Sequence, residues 1–90
     1  MAKICIHAFV SGRVQGVWYR NSARNAALAQ GVTGWARNLP DGRVEVMLCG
    51  DESAVQSVAG WLHEGPPGAS VSNVDAERLS FEAIQEFSIF

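Results

Sequence analysis

Residues 11–20, SGRVQGVWYR, combine two glycines with two arginines between an apolar run and an alanine-rich run. Gly12 and Gly16 allow several consecutive backbone amides to turn toward one point, and a following helix N-terminus adds unpaired donors and partial positive charge. Arg20 adds a planar guanidinium that can grip two phosphate oxygens at once. The stretch therefore predicts a phosphate cradle. The alternative is a long structural loop with Arg20 on the surface, and the spacing matches neither a Walker A loop nor GxGxxG.

Asn38, which precedes the turn LPDG, is a second candidate. A side-chain amide can both donate to and accept from a water molecule, so Asn38 could hold a water in line with a phosphorus atom. The alternative is structural, because Asn ahead of a turn commonly bonds its own backbone.

Other catalytic patterns are missing from the sequence. Neither cysteine begins a Cys-x5-Arg pattern, the two histidines have no metal-ligand partner at useful spacing, and the aspartates form no DxD pair for magnesium. A metal-free reaction with water as the nucleophile is the chemistry that remains. Trp18 and Tyr19 are predicted to pack and fix the loop, with Tyr19 facing the core.

The composition predicts one compact domain spanning residues 1–90, since 48% of the residues are hydrophobic and 18% are charged. A formal net charge of −2 argues against a nucleic-acid partner, because such affinity comes largely from clustered Lys and Arg. No apolar run approaches the roughly 20 residues of a membrane span, and the start lacks the order of a signal peptide. We therefore expect a cytoplasmic protein without a membrane partner.

Hydrophobic periodicity predicts the elements that position these candidates. In chain order they are a strand ending at Val10, a helix over about 20–30, strands over VTGWARN and 43–50, a second helix, a weaker strand SVSNVDAER and a short terminal FSIF. The order β-α-β-β-α-β is the split βαβ pattern of ferredoxin-like folds, an α+β class with two helices on one face of an antiparallel sheet.

That topology places Val10 and Asn38 at one edge of the sheet. With strand order 4-1-3-2, only the third strand separates them, so they lie roughly 10 Å apart. A tetrahedral anion fits between the loop and Asn38. A single-strand RNA binder of similar topology is another alternative, which would use Phe9 and Trp35 on the sheet. Glu45 on the same face and the net negative charge weigh against it.

Cys5 and Cys49 are predicted to face each other. The start of the first strand lies opposite the end of the third, and both side chains alternate out of phase with the apolar face. Opposed residues lie about 4.5 to 5.5 Å apart at Cα, close to the range that a disulfide spans. A bond can therefore form on air oxidation, and two reduced thiols are the alternative in a reducing cytoplasm.

Two stretches carry a resemblance to the acylphosphatase family. GRVQGVWYR, residues 12–20, is similar to the first family signature, and GWARNLPDGRV, residues 34–44, is similar to the second. The resemblance implies a monomeric, cofactor-independent enzyme that hydrolyses the carboxyl-phosphate bond of small acylphosphates, with inorganic phosphate as product and competitive inhibitor. A non-catalytic anion-binding or regulatory ferredoxin-like module is the alternative.

The same resemblance implies roles for individual residues. Arg20 would bind the phosphate with help from loop backbone amides, and Asn38 would orient the attacking water. Trp18 is bulkier than the residue that many family members carry there, which predicts altered access to the loop. The implied amide donors belong to Gln15, Gly16, Val17, Trp18, Tyr19 and Arg20.

Overall fold

The structure, a computed structural model, describes residues 2–90 and consists of a five-stranded sheet with two helices. The strands are β1 (Lys3–Arg13), β2 (Thr33–Asn38), β3 (Val44–Asp51), β4 (Ser70–Ser80) and β5 (Phe87–Ile89). The helices are α1 (Tyr19–Ala29) and α2 (Glu52–Leu62).

The strands are arranged in the order β4-β1-β3-β2-β5. Adjacent strands among the first four run antiparallel, which confirms the predicted ferredoxin-like α+β fold. β5 lies beside β2 and runs parallel to it, so the complete sheet is mixed. This parallel pair arises because residues 81–86 carry the chain from one edge of the sheet to the other.

The alternation of β1 sorts its side chains between the two faces of the sheet. Ile4, Ala8 and Val10 join the main apolar cluster, which also contains buried residues from both helices. Cys5 belongs to a smaller cluster on the opposite face, together with Met47. The helices therefore cover one face and leave the other largely open.

The two helices meet the sheet with side chains of different size. α1 buries Ala23 and Ala27, whose small side chains allow the helix to lie close to the strands. α2 buries Val55, Val58 and Leu62, which fill the remaining space. Because only residues 14–18 separate β1 from α1, the start of α1 lies at the end of the sheet where β1 terminates.

A disulfide joins Cys5 and Cys49, which are direct partners in the β1–β3 register. Their Cα atoms lie 4.1 Å apart, which confirms the predicted pairing. The bond lies on the face away from the helices, where Ile84 packs against it. Cross-links of this kind typically stabilise a fold by about 2–4 kcal/mol.

Candidate active site

The connection between β1 and α1 is shorter than the sequence suggested. β1 continues through Arg13 and pairs with β4 beyond a register shift between Ser11 and Gly12. Gly12 has a φ of 117°, and a Cβ at this position would meet the carbonyl oxygen of Ser70 at 2.2 Å. Gly12 therefore serves strand pairing, and the irregular connection is limited to residues 14–18.

The loop of residues 14–18 has a backbone that alternates in handedness. Gly16 and Trp18 have φ angles of 73° and 64°, and Val17 separates them. Such alternation turns neighbouring N–H groups toward one side of the chain. Val14 is buried and Val17 packs against the main cluster, so the apolar side chains fix the shape of the loop.

The backbone amides of residues 15–20, in this loop and at the start of α1, have no acceptor in the part of the protein that the structure describes. Within residues 2–90, no hydrogen bond uses an N–H of residues 15–20 as its donor, and the first such bond runs from Ser22 to the Trp18 carbonyl at 2.9 Å. No side chain caps α1, and its first turn contains no acidic residue. Unpaired donors at the positive end of a helix attract an anion.

Arg20 lines a cleft of about 370 Å³ together with Gly16, Trp18 and Tyr19. Its Nη1 donates to the main-chain oxygen of Phe90, which fixes the direction of the side chain. The other guanidinium N–H groups make no hydrogen bond to any residue that the structure describes. The guanidinium therefore retains donors for an anion in the cleft.

Asn38 ends β2 at the level predicted from the topology. Val10 pairs with Val44, and Val44 pairs with Asn38, so the three residues form one row across the sheet. The Asn38 side chain is exposed and makes no hydrogen bond to any described residue. The turn that follows is held by Asp41, whose carboxylate oxygen accepts a hydrogen bond from the Arg43 backbone N–H at 3.1 Å. Asn38 lies outside the group of residues that line the cleft.

Gln15 connects the loop to the turn between β2 and β3. Its Nε2 donates to the carbonyl oxygen of Leu39 at 2.8 Å and to that of Arg43 at 3.0 Å. Leu39 follows Asn38 directly, so the side chain of Gln15 ties the two halves of the candidate site together. Sequence reasoning missed this role, and the only signal for it was a polar residue at the centre of a glycine loop.

The side chains of Trp18 and Tyr19 point in different directions. The prediction that Trp18 packs is wrong, because its left-handed backbone at the helix start leaves the side chain 75% exposed. Tyr19 is buried as predicted, and its hydroxyl donates to the carbonyl oxygen of Leu62 at 2.7 Å. Burial raises the pKa of Tyr19. The hydroxyl therefore stays protonated and anchors the start of α1 to the end of α2.

Glu45 is a buried carboxylate on the open face of the sheet, away from the cleft. Its carboxylate oxygens lie 2.6 Å from Nε2 of His7 and 2.5 Å from Nε of Arg37. Burial alone would raise the pKa of Glu45, but these hydrogen bonds outweigh it and hold the pKa below its usual value. Arg37 directly precedes Asn38, so this network holds the end of β2 from the sheet face opposite the helices.

The aromatic side chains of the open face are covered by arginines. The guanidinium of Arg43 lies 4.6 Å from the ring centroid of Phe9, and that of Arg37 lies 5.5 Å from the ring of Trp35. A base that stacked on either ring would have to displace a cation. The contacts of Phe9 and Trp35 thus disfavour the RNA-binding alternative.

A membrane-spanning helix and a cluster of metal ligands are both absent from residues 2–90. No helix in that range has both the length and the apolar character needed to cross a membrane. No group of three or more His, Cys, Asp or Glu side chains in the same range is arranged to hold a metal ion.

Comparison with known proteins gives consistent matches. The acylphosphatase family model matches residues 6–89, a range that includes both the loop and Asn38. An acylphosphatase of Chromohalobacter salexigens is 58% identical over 74 residues, or 82% of each chain. One of Pseudomonas paraeruginosa is 48% identical over 89 residues, covering 99% of this chain and 98% of the relative. A solved acylphosphatase of Coxiella burnetii superposes with a TM-score of 0.93 at 43% identity, over 98% of this chain and 93% of that chain.

Proposed function

This chain belongs to the acylphosphatase family, and from that premise we propose that it hydrolyses small acylphosphates at Arg20 and Asn38, as a monomer without a cofactor. The products are a carboxylate and inorganic phosphate. The proposal extends the family assignment to a mechanism and to named residues.

The observation that carries the proposal is the set of backbone amides at residues 15–20, which have no acceptor among residues 2–90, beside the guanidinium of Arg20. A phosphoryl group placed in the cleft accepts hydrogen bonds from the amides on one side and from the planar guanidinium on the other. These donors are already oriented in the folded chain. They stabilise the charge that the phosphoryl oxygens carry in the transition state without further reorganisation.

The nucleophile in this mechanism is a water molecule oriented by the side-chain amide of Asn38. The water oxygen forms a bond to phosphorus, and the bond from phosphorus to the bridging oxygen breaks with its electron pair leaving on the carboxylate. The protons of the water end on the phosphate and in the solvent. Because a carboxylate is a good leaving group, positioning and charge stabilisation suffice without a strong base.

A hydrolysis assay with benzoyl phosphate, with and without EDTA, tests the proposal. We expect equal turnover under both conditions and competitive inhibition by inorganic phosphate. Phosphate binding without turnover would contradict the enzymatic function and support the alternative of an anion-binding module. Turnover that EDTA abolishes would contradict the metal-free mechanism.

A further inference from the structure

The side chain of Trp18 gains no packing from the fold. It is the most exposed of the large apolar side chains in residues 2–90. It is also the one residue other than glycine in that range with a positive φ, at 64°. A bulky residue in this conformation is unusual, and strained backbone of this kind clusters at functional sites. Both observations point to a use for the indole outside the core.

The position of Trp18 suggests that use. Trp18 lines the same cleft as Arg20, and the other apolar residues of the lining are Val14, Tyr19 and Ile89. A phosphoryl group held by Arg20 and the loop amides occupies the polar end of the cleft. The acyl group then extends past the apolar residues of the lining, of which Trp18 is the most exposed.

We propose that Trp18 binds the acyl group by stacking and that the cleft favours aromatic acylphosphates over small aliphatic ones. The inference rests on the proposed function and deepens it by naming a substrate class. A flat acyl group covers the exposed face of an indole, which removes apolar area from water and allows offset stacking. An acetyl group offers no such face.

Binding of two phosphonates measures the preference without any turnover. Benzoylphosphonate and acetylphosphonate carry a direct carbon–phosphorus bond in place of the carbon–oxygen–phosphorus linkage, so they cannot be hydrolysed there, and they differ from each other only in the acyl group. By calorimetry, we expect the parent protein to bind benzoylphosphonate about tenfold more tightly than acetylphosphonate. Trp18→Ala should bring this ratio close to one, and Trp18→Phe should retain most of it. Equal ratios in the parent and Trp18→Ala would overturn the inference.

Two controls separate the side chain from other effects. Phe81→Ala removes another exposed aromatic side chain, far along the sequence and outside the cleft, and should leave the ratio unchanged. Trp18→Gly removes the indole but accepts the left-handed φ without strain. A ratio that falls equally in Trp18→Gly and Trp18→Ala supports the contact, whereas a ratio kept by Trp18→Gly would attribute the effect to the backbone and overturn the inference.

Hydrolysis of benzoyl phosphate and acetyl phosphate distinguishes failure of this inference from failure of the proposed function. We expect the ratio of kcat/KM values to fall in Trp18→Ala as the binding ratio does. Turnover of both substrates with a ratio that Trp18→Ala does not move would overturn the inference alone. In a third outcome, the parent hydrolyses neither substrate, but Trp18→Ala still loses the preference for benzoylphosphonate. That outcome would contradict the proposed function and support the inference.

Discussion

At the scale of single residues, Arg20 is the side chain on which the proposed site most depends. Its guanidinium is directed by the Phe90 main-chain oxygen and shares a cleft with the loop. Arg20→Ala should weaken inhibition by inorganic phosphate and remove nearly all turnover of benzoyl phosphate. Arg20→Lys should restore little, because an ammonium group lacks the planar fork that holds two phosphate oxygens.

A matched control for Arg20 is available on the same helix. Arg24 is exposed and lies outside the cleft, so Arg24→Ala removes one positive charge from the helix and leaves the guanidinium of Arg20 in place. Steady-state kinetics should give nearly parental values for this variant. Near-normal activity of Arg20→Lys, or equal damage from Arg24→Ala, would contradict the argument from guanidinium geometry.

Asn38 should matter for turnover and little for folding or binding. Its side chain is exposed and bonds no described residue, so Asn38→Ala should unfold at nearly the parental temperature. Turnover should fall by roughly 10²-fold or more, the scale of a lost preorganised polar group. The inhibition constant of phosphate should change little. Asn73→Ala, at an exposed position on the edge strand β4, is the control and should leave turnover at the parental value. A loss of phosphate affinity equal to the loss of rate would mean that Asn38 binds substrate instead of positioning water.

Residue type and spacing led to the candidates Arg20 and Asn38, but they did not predict the exposure of Trp18 or the hydrogen bonds of Glu45. Residue type predicted that Trp18 packs to fix the loop, since nothing in the sequence reveals a positive φ at a residue other than glycine. The Glu45 network was predictable in principle. The same kind of register argument, applied to the β2–β3 hairpin, places Arg37 opposite Glu45.

At the scale of secondary-structure elements, the proposed site depends on how the loop is fixed against the β2–β3 turn. Gln15→Ala removes two hydrogen bonds and should lower the free energy of unfolding by about 1–3 kcal/mol. It should also lower kcat about tenfold or more with a smaller change in phosphate affinity, because the two halves of the site lose their relative position. Chemical denaturation and the inhibition constant of phosphate provide the two measurements.

Gln15→Glu tests whether donation is the essential property. The variant preserves size but places a carboxylate against two carbonyl oxygens, so it should be no more active than Gln15→Ala. A purely structural role predicts lost stability with kcat unchanged, and that result would contradict a positioning role for Gln15.

The pattern of elements was largely predictable, and the exceptions share one cause. Local alternation and glycine stops located both helices and the strands. The continuation of β1 through Arg13 depends on pairing with β4, which lies far away in sequence. The parallel contact of β5 with β2 is likewise a long-range pairing. Local periodicity contains no information about either partner.

At the scale of the whole molecule, the charge distribution makes the proposed anion site a local one. A net charge of −2 gives no general attraction for a phosphate, and four of the seven basic residues fall between positions 13 and 37. Backbone amides and one guanidinium must therefore supply most of the affinity, over distances shorter than the screening length of about 8 Å at physiological salt.

The free energy of unfolding should depend on pH through the buried carboxylate of Glu45. The pKa of Glu45 lies below its usual 4.5, so the unfolded chain takes up a proton first as the pH falls. The stabilisation is complete well above pH 4.5 and is lost as the pH falls through the lower pKa of the folded state. Hydrogen bonds to Arg43 lower the pKa of Asp41 and add a dependence of the same sign.

In Glu45→Gln, the free energy of unfolding should therefore fall less steeply as the pH is lowered than it does in the parent. Urea unfolding at a series of pH values from about pH 7 to pH 3 measures this slope. Glu64→Gln, at an exposed position after α2, removes the same charge and should keep the parental slope. An acid limb as steep in Glu45→Gln as in the parent would contradict the assignment of this stability to the Glu45 network.

Hydrolysis of benzoyl phosphate in ¹⁸O-labelled water tests the central claim most directly, because it locates the bond that breaks. Attack of a water on the phosphorus atom places one labelled oxygen in inorganic phosphate and none in benzoate. We predict this distribution with EDTA present, at a rate far above that of Arg20→Ala. Label in benzoate would mean attack at the carbonyl carbon, and it would contradict the proposed mechanism, as would a rate equal to that of Arg20→Ala.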